Sequence, residues 1–167
     1  MMLLSLLFSL LFVVSSPQGA VRTDQYIVVD KQNFTLTLNA ADGIPIKVYR
    51  IACGKGIGNK TRSGDHKTPE GSFRINEILN SRSLSHDFGD GKGPVKGAYG
   101  PWFLRLDVPG RRDIGIHGTH LPESIGTRAT EGCIRLANED IKDLKERIKV
   151  GTVVTILPDP VEVEATE

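Results

Sequence analysis

Apolar and polar residues alternate with a period of two along several short stretches of this chain, as they do in strands with one buried face. Tyr26-Ile-Val-Val-Asp30 is a short apolar run, and Phe34-Thr-Leu-Thr-Leu38 and Ile46 to Ala52 alternate. Lys31-Gln32-Asn33 and Asp42-Gly43 supply turn signals between them, so the three segments predict an antiparallel meander. Strand character returns at Ser72–Leu79, Trp102–Val108, Asp113–His117 and Thr152–Leu157. A helical stripe occurs once, at Ile141, Leu144 and Ile148. Asn138 is its candidate N-cap, Glu139 and Asp140 suit the positive helix start, and Gly151 is the stop. Two segments carry no period. Gly54–Pro69 is rich in Gly, Lys and Thr, and Ser81–Gly100 is long for a structureless connection, which marks it as a lid or binding loop. The pattern predicts a mainly β fold: a mixed-strand β-sandwich or partly closed barrel with one main helix near the C-terminal end.

The segment from Met1 to Ser16 changes the picture at the N-terminus. It is apolar for about 14 residues, short of the ~20 needed to span a bilayer, and matches the core of a secretory signal peptide. The expected organisation is a signal peptide over 1–20, one folded domain over 25–158 and an acidic, frayed tail over 159–167. No Cys follows the apolar run, so a lipid anchor is not expected. With 21 basic and 20 acidic residues the chain lacks the basic surplus of a nucleic-acid binder. Its four His and two Cys show no metal-ligand spacing, so neither a metal nor another cofactor is expected. Cys53 and Cys133 form a disulfide in an oxidising compartment, or stay free with Cys53 as a buried strand-end thiol; the sequence leaves both open.

Candidate chemistry concentrates between Ile116 and Asn138, which reads IHGTHLPESIGTRATEGCIRLAN. A cysteine nucleophile needs a base for its proton and donors for the oxyanion. His117 is the candidate base and Cys133 the candidate nucleophile, with backbone N–H groups around Gly132 and Cys133 as oxyanion donors. Taken alone, a Cys reads first as a small buried hydrophobe, and the nearby His in one Gly-rich stretch is what points to chemistry.

The ordered set of short motifs goes further. His117-Gly118-Thr119, Ser124-Ile125-Gly126, Thr130-Glu131-Gly132-Cys133, Ile134-Arg135-Leu136 and Asn138-Glu139-Asp140 resemble the L,D-transpeptidase (YkuD-type) catalytic domain. Gly54-Lys55, Thr68-Pro69-Glu70-Gly71-Ser72-Phe73 and Gly151-Thr152-Val153 extend the resemblance over about residues 26 to 157. The resemblance implies that Cys133 attacks an amide and forms a thioester, that His117 takes its proton, and that the Gly118 carbonyl orients the His117 ring. It places Arg135 at a substrate carboxylate, and Glu131, His120 and Thr119 are further substrate-binding candidates. For Arg135 an ion pair with an acid such as Asp140 is the equal alternative, and Asn138 and Asp140 read as helix-capping groups. One departure stands out: Glu131 occupies the position of a family His, where a carboxylate opposes thiolate formation unless it is paired, for instance with His120 or a substrate ammonium. His66 and His86 read as solvent-facing.

The implied function is a cysteine peptidoglycan L,D-transpeptidase of bacterial cell-wall cross-linking. It would be acylated by a tetrapeptide stem and would transfer that stem to an amine, on another stem or on a wall-anchored protein. The implied location is the periplasm or cell envelope. The alternatives are an L,D-carboxypeptidase that uses water, and a non-catalytic wall-binding protein inactivated by Glu131.

Overall fold

The structure, a computed structural model, describes residues 25–160. The expected signal peptide and the last part of the tail lie outside these residues. The strands are β1 (Tyr26–Asp30), β2 (Thr35–Asn39), β3 (Pro45–Gly54), β4 (Gly71–Asn80), β5 (Ser85–His86), β6 (Val95–Lys96), β7 (Trp102–Leu106), β8 (Gly115–His117), β9 (Arg128–Thr130), β10 (Ile134–Leu136) and β11 (Val153–Ile156), with helix α1 (Asn138–Arg147) between the last two.

The predicted meander is present: β1 pairs antiparallel with β2, and β2 with β3. The order of the main sheet is β10-β8-β7-β4-β11-β1-β2-β3-β9, and β10 also pairs with β3. That second pairing closes the sheet into a barrel. Parallel pairs (β1–β11, β8–β10 and β3–β9) join antiparallel ones, so the sheet is mixed as expected.

Alternation along the strands fills the barrel. Ile27 and Val29, Leu36 and Leu38, and Val154 and Ile156 point inward and are buried, while their neighbours along each strand are more exposed, Asn39 at the end of β2 excepted. Ile116, Ile134 and Leu136 bring the inner face round to the closing seam. Helix α1 contributes Ile141 and Leu144 to the same core, and the Lys145 ammonium sits 4.7 Å over the Trp102 ring of β7.

Three features differ from the pattern reading. The helix stops at Arg147 rather than at Gly151, because Ile148 is already extended. Asn138 does not cap it. Ala137 is the N-cap, and the Asn138 side chain turns to a neighbouring loop. The tail is not frayed at its start. Asp159 is buried and accepts from Lys31 Nζ (2.9 Å), Arg128 Nη2 (2.6 Å) and Gly58 N (2.7 Å), while Lys31 also binds Glu70 at 2.6 Å.

Candidate active site

Strands β8 and β10 run parallel and in register, with Ile134 opposite Ile116 and Arg135 opposite His117. This register brings the two halves of the motif segment together. His117 ends β8, and Cys133 sits just before β10. Both line one cleft, with Asp113, Glu131 and Arg135 and with His86, Phe88 and Tyr99 from the loop between β4 and β7. Cys53 lies elsewhere, fully buried in β3. Both thiols are free, so the disulfide alternative is not realised.

His117 is fixed on every side. Its Nδ1–H donates to the Gly118 carbonyl at 2.6 Å, which leaves the Nε2 lone pair free. Its ring stacks on Phe103 (centroids 5.5 Å apart, planes 4° apart) and meets Tyr99 edge-on at 5.0 Å. Burial pushes the imidazole pKa down to about 3, against the hydrogen bond to Gly118 that favours the charged form. Gly118 is itself clamped. The Asn138 amide donates to Thr119 O at 2.9 Å, and its oxygen accepts from Thr119 N at 2.8 Å. A Cβ on Gly118 would fall 2.5 Å from that oxygen and 2.8 Å from Pro101 Cδ, so only glycine fits.

The Cys133 thiol is half-buried and donates to the Asp113 carbonyl at 3.2 Å. Burial pushes its pKa up to about 11; a backbone hydrogen bond from Gly115 works against this, the Asp113 charge adds to it, and Lys60 and Arg135 oppose it. The resting pair is therefore neutral thiol and neutral imidazole, not an ion pair. The backbone of the turn is only partly as expected. Gly132 N donates to the Thr130 hydroxyl at 3.2 Å, and that hydroxyl donates to Cys133 O at 2.6 Å. The Gly132 N–H is thus engaged within the turn at rest.

Arg135 is buried to 4% exposure, and its Nη1 donates to Ser124 Oγ at 2.8 Å. Its Nε has no partner, and among the described residues no carboxylate pairs with it, so the alternative ion pair with Asp140 is absent. Glu131 pairs with His86, not with His120: Oε2 lies 3.0 Å from His86 Nε2. His86 Nδ1 is in turn 2.9 Å from the Tyr99 hydroxyl. His86 is therefore a cleft residue and not solvent-facing. His120 lies behind the cleft wall, with Nδ1 at 3.3 Å from Ala98 O and its ring beside Phe88. Thr119 is buried, accepts from Leu121 N, and lines a separate depression with Asn138 and Lys142. Neither reaches the cleft. The sequence reading does not mark Asp113 or Tyr99 as cleft residues, and it takes His86 as solvent-facing. A loop of that length marked the region but not which side chains face inward.

A sequence profile of the L,D-transpeptidase catalytic domain matches residues 24–156. This chain belongs to the L,D-transpeptidase catalytic-domain family. The putative L,D-transpeptidase YqjB of Bacillus subtilis is 30% identical to it over 89% of this chain and 83% of that protein. The putative L,D-transpeptidase YkuD of the same organism is 34% identical over 73% of this chain and 59% of its own length. Among solved structures, an Enterococcus faecium L,D-transpeptidase superposes with a TM-score of 0.59 at 25% identity. It covers 80% of this chain, which spans half of the E. faecium one. A mainly β, mixed-strand domain with one helix is thus the architecture this L,D-transpeptidase domain shares with its relatives.

Proposed function

We propose that this family member is a cysteine L,D-transpeptidase that acts on peptidoglycan stem peptides after export to the periplasm or cell envelope. Export rests on the apolar leader of residues 1–20. One observation carries the chemistry: a half-buried thiol and a buried imidazole, oriented through Nδ1 with Nε2 free, share one cleft. In this reading Cys133 Sγ bonds to the carbonyl carbon of the penultimate stem residue while its proton passes to His117 Nε2. The thiol and imidazole pKa values, about 11 and about 3, favour transfer concerted with attack over a preformed thiolate. The Cys133 N–H is the backbone donor assigned to the oxyanion. Collapse breaks the C–N bond, and His117 returns the proton to the leaving amine. An acceptor amine then attacks the thioester, forms the new amide and restores the thiol. Arg135, buried with an unpartnered Nε, is suited to a stem carboxylate. Glu131, half-exposed at the cleft, is suited to an ammonium.

The test is intact-mass spectrometry after exposure to a carbapenem, an acylating agent for such thiols. A solved L,D-transpeptidase 3 of Mycobacterium tuberculosis carries a faropenem-derived adduct, which makes β-lactams the natural probe class. One adduct is expected on the wild type and none on Cys133→Ala, with His117→Ala slowed by about 10²–10⁴-fold. No adduct on the folded wild type, or an equal adduct on Cys133→Ala, refutes the mechanism. Stem tetrapeptide turnover with and without an amine acceptor then separates transfer from hydrolysis by water.

A further inference from the structure

Against the Cys133 turn, and not among the residues that line the cleft, lies a buried lysine. The Lys60 side chain is 3% exposed although it stands in the loop between β3 and β4. Lysine is rarely sequestered without a partner or a purpose, since burying its charge is costly. The partner is Asp65, whose Oδ1 lies 2.8 Å from Nζ. Asp65 does not belong to Lys60 alone. It also accepts from the N–H groups of Thr61, Arg62 and Lys67 at 2.8, 3.0 and 3.1 Å. Burial alone would push the Asp65 carboxyl up, but these four donors outweigh it and keep the group ionised. The carboxylate is thus spread over four donors, and it tethers the ammonium without fully occupying it.

The tether aims Lys60 at the nucleophile turn. Its Nζ lies 3.5 Å from the Glu131 carbonyl. A Cβ on Gly132 would sit 3.3 Å from that Nζ and 2.7 Å from the Lys67 carbonyl. Gly132 has φ +138°, a conformation that side-chain-bearing residues rarely adopt. The loop from Lys60 to Lys67 is therefore the floor on which the Glu131-Gly132-Cys133 backbone rests. The charges facing the thiol are few. Asp113 and Glu131 are acidic, Arg135 is cationic on β10, and His117 is neutral on β8; Tyr99 and His86 close the far side. Lys60 and Arg135 are the cations that favour negative charge on Cys133.

We propose that Lys60 is a positioning residue for Cys133: pinned by Asp65, its ammonium holds the Glu131–Gly132 backbone in place and stabilises the negative charge that develops on the sulfur. The proposal rests on Cys133 being the nucleophile. It adds a residue to that site that neither the motif segment nor the cleft lining contains.

The experiment is the pH–rate profile of Cys133 alkylation by iodoacetamide, a neutral reagent, read at Cys133 by peptide mass so that Cys53 does not interfere. Lys60→Met is expected to displace the rising limb upward by about one pH unit, which is about tenfold slower alkylation at a fixed pH. Lys60→Arg, which keeps the charge, is expected to restore the rate to within about threefold on the same scale. If Lys60→Met fails to fold, Lys60→Gln serves, because it can still bond Asp65 without the charge. A profile in a folded uncharged variant that overlies the wild type overturns the proposal. Equal slowing in Lys60→Arg and the uncharged variant also overturns it, since that outcome reports loop packing and not charge. Alkylation requires no stem peptide. Carbapenem acylation of the wild type, measured beside it, shows separately whether the transpeptidase reading fails.

Discussion

His117 and Cys133 are each neutral at rest for the same reason, burial that disfavours their charged forms. This has a consequence for stability at His117. Its pKa, about 3, lies below the ordinary 6.5, so between those values the unfolded chain binds a proton that the folded chain does not. The stabilisation is complete above about pH 6.5 and is lost progressively as pH falls toward 3, by up to about 1.4 kcal/mol per pH unit. Urea unfolding from pH 7 to 4.5 should show this slope in the wild type and a shallower one in His117→Gln. Parallel slopes in the two proteins would mean the imidazole is not sequestered in solution.

At the scale of elements, the loop between β4 and β7 decides access to the cleft. Its base is tied by Ser81 Oγ to Gly100 O at 2.9 Å and by Ser81 N to Pro101 O at 3.1 Å. The two-residue strands β5 and β6 pair within it. Its far side reaches the nucleophile turn through the His86–Glu131 pair. The partly open cleft beneath is about 90 Å³. That is well short of the ~300 Å³ usual for even a small ligand pocket. The loop as it stands therefore keeps the cleft narrow. Because His86 and Glu131 are both partly exposed, their pair contributes little, of the order of 0–1 kcal/mol. Glu131→Gln should accordingly leave global stability unchanged while raising amide hydrogen exchange across residues 81–100. Unchanged exchange there would show that the loop is held by its other contacts and not by this pair.

For the whole molecule, barrel closure brings β8 and β10 together, and the ion network ties strand ends together on one side of the barrel. Lys31 follows β1, Glu70 precedes β4, Arg128 is on β9 and Asp159 follows β11. Two cations and two anions balance, and the Gly58 N–H adds a donor to Asp159. Removing one partner leaves charge buried without compensation, typically at a cost of about 3–5 kcal/mol. Asp159→Ala should therefore destabilise by about 3 kcal/mol in urea unfolding, the low end because Lys31 keeps Glu70. A change below about 0.5 kcal/mol, as expected of an ordinary surface substitution, would return Asp159 to the status of a loose tail.

The linear order of residues was enough to locate the strands of the meander, helix α1, and His117 and Cys133 as candidates, because periodicity and motif spacing are local properties; the Gly118 carbonyl entered only through the family resemblance. It also held the sign of the Glu131 difference, a carboxylate that needs a partner near a thiol. Which partner it finds was a tertiary matter: His86 and His120 differ in which loop face they occupy, and no local pattern encodes that. The short strands β9 and β10 were equally hidden, since three residues are too few to display a period. Asn138 has the composition of a helix cap, yet its side chain gains two backbone partners at Thr119 only once β8 and α1 are packed together. Lys60 and Asp159 looked like ordinary charges in a loop and a tail. Chain closure buried them, and burial turned solvated charges into fixed ones that act on the strands and the thiol beside them.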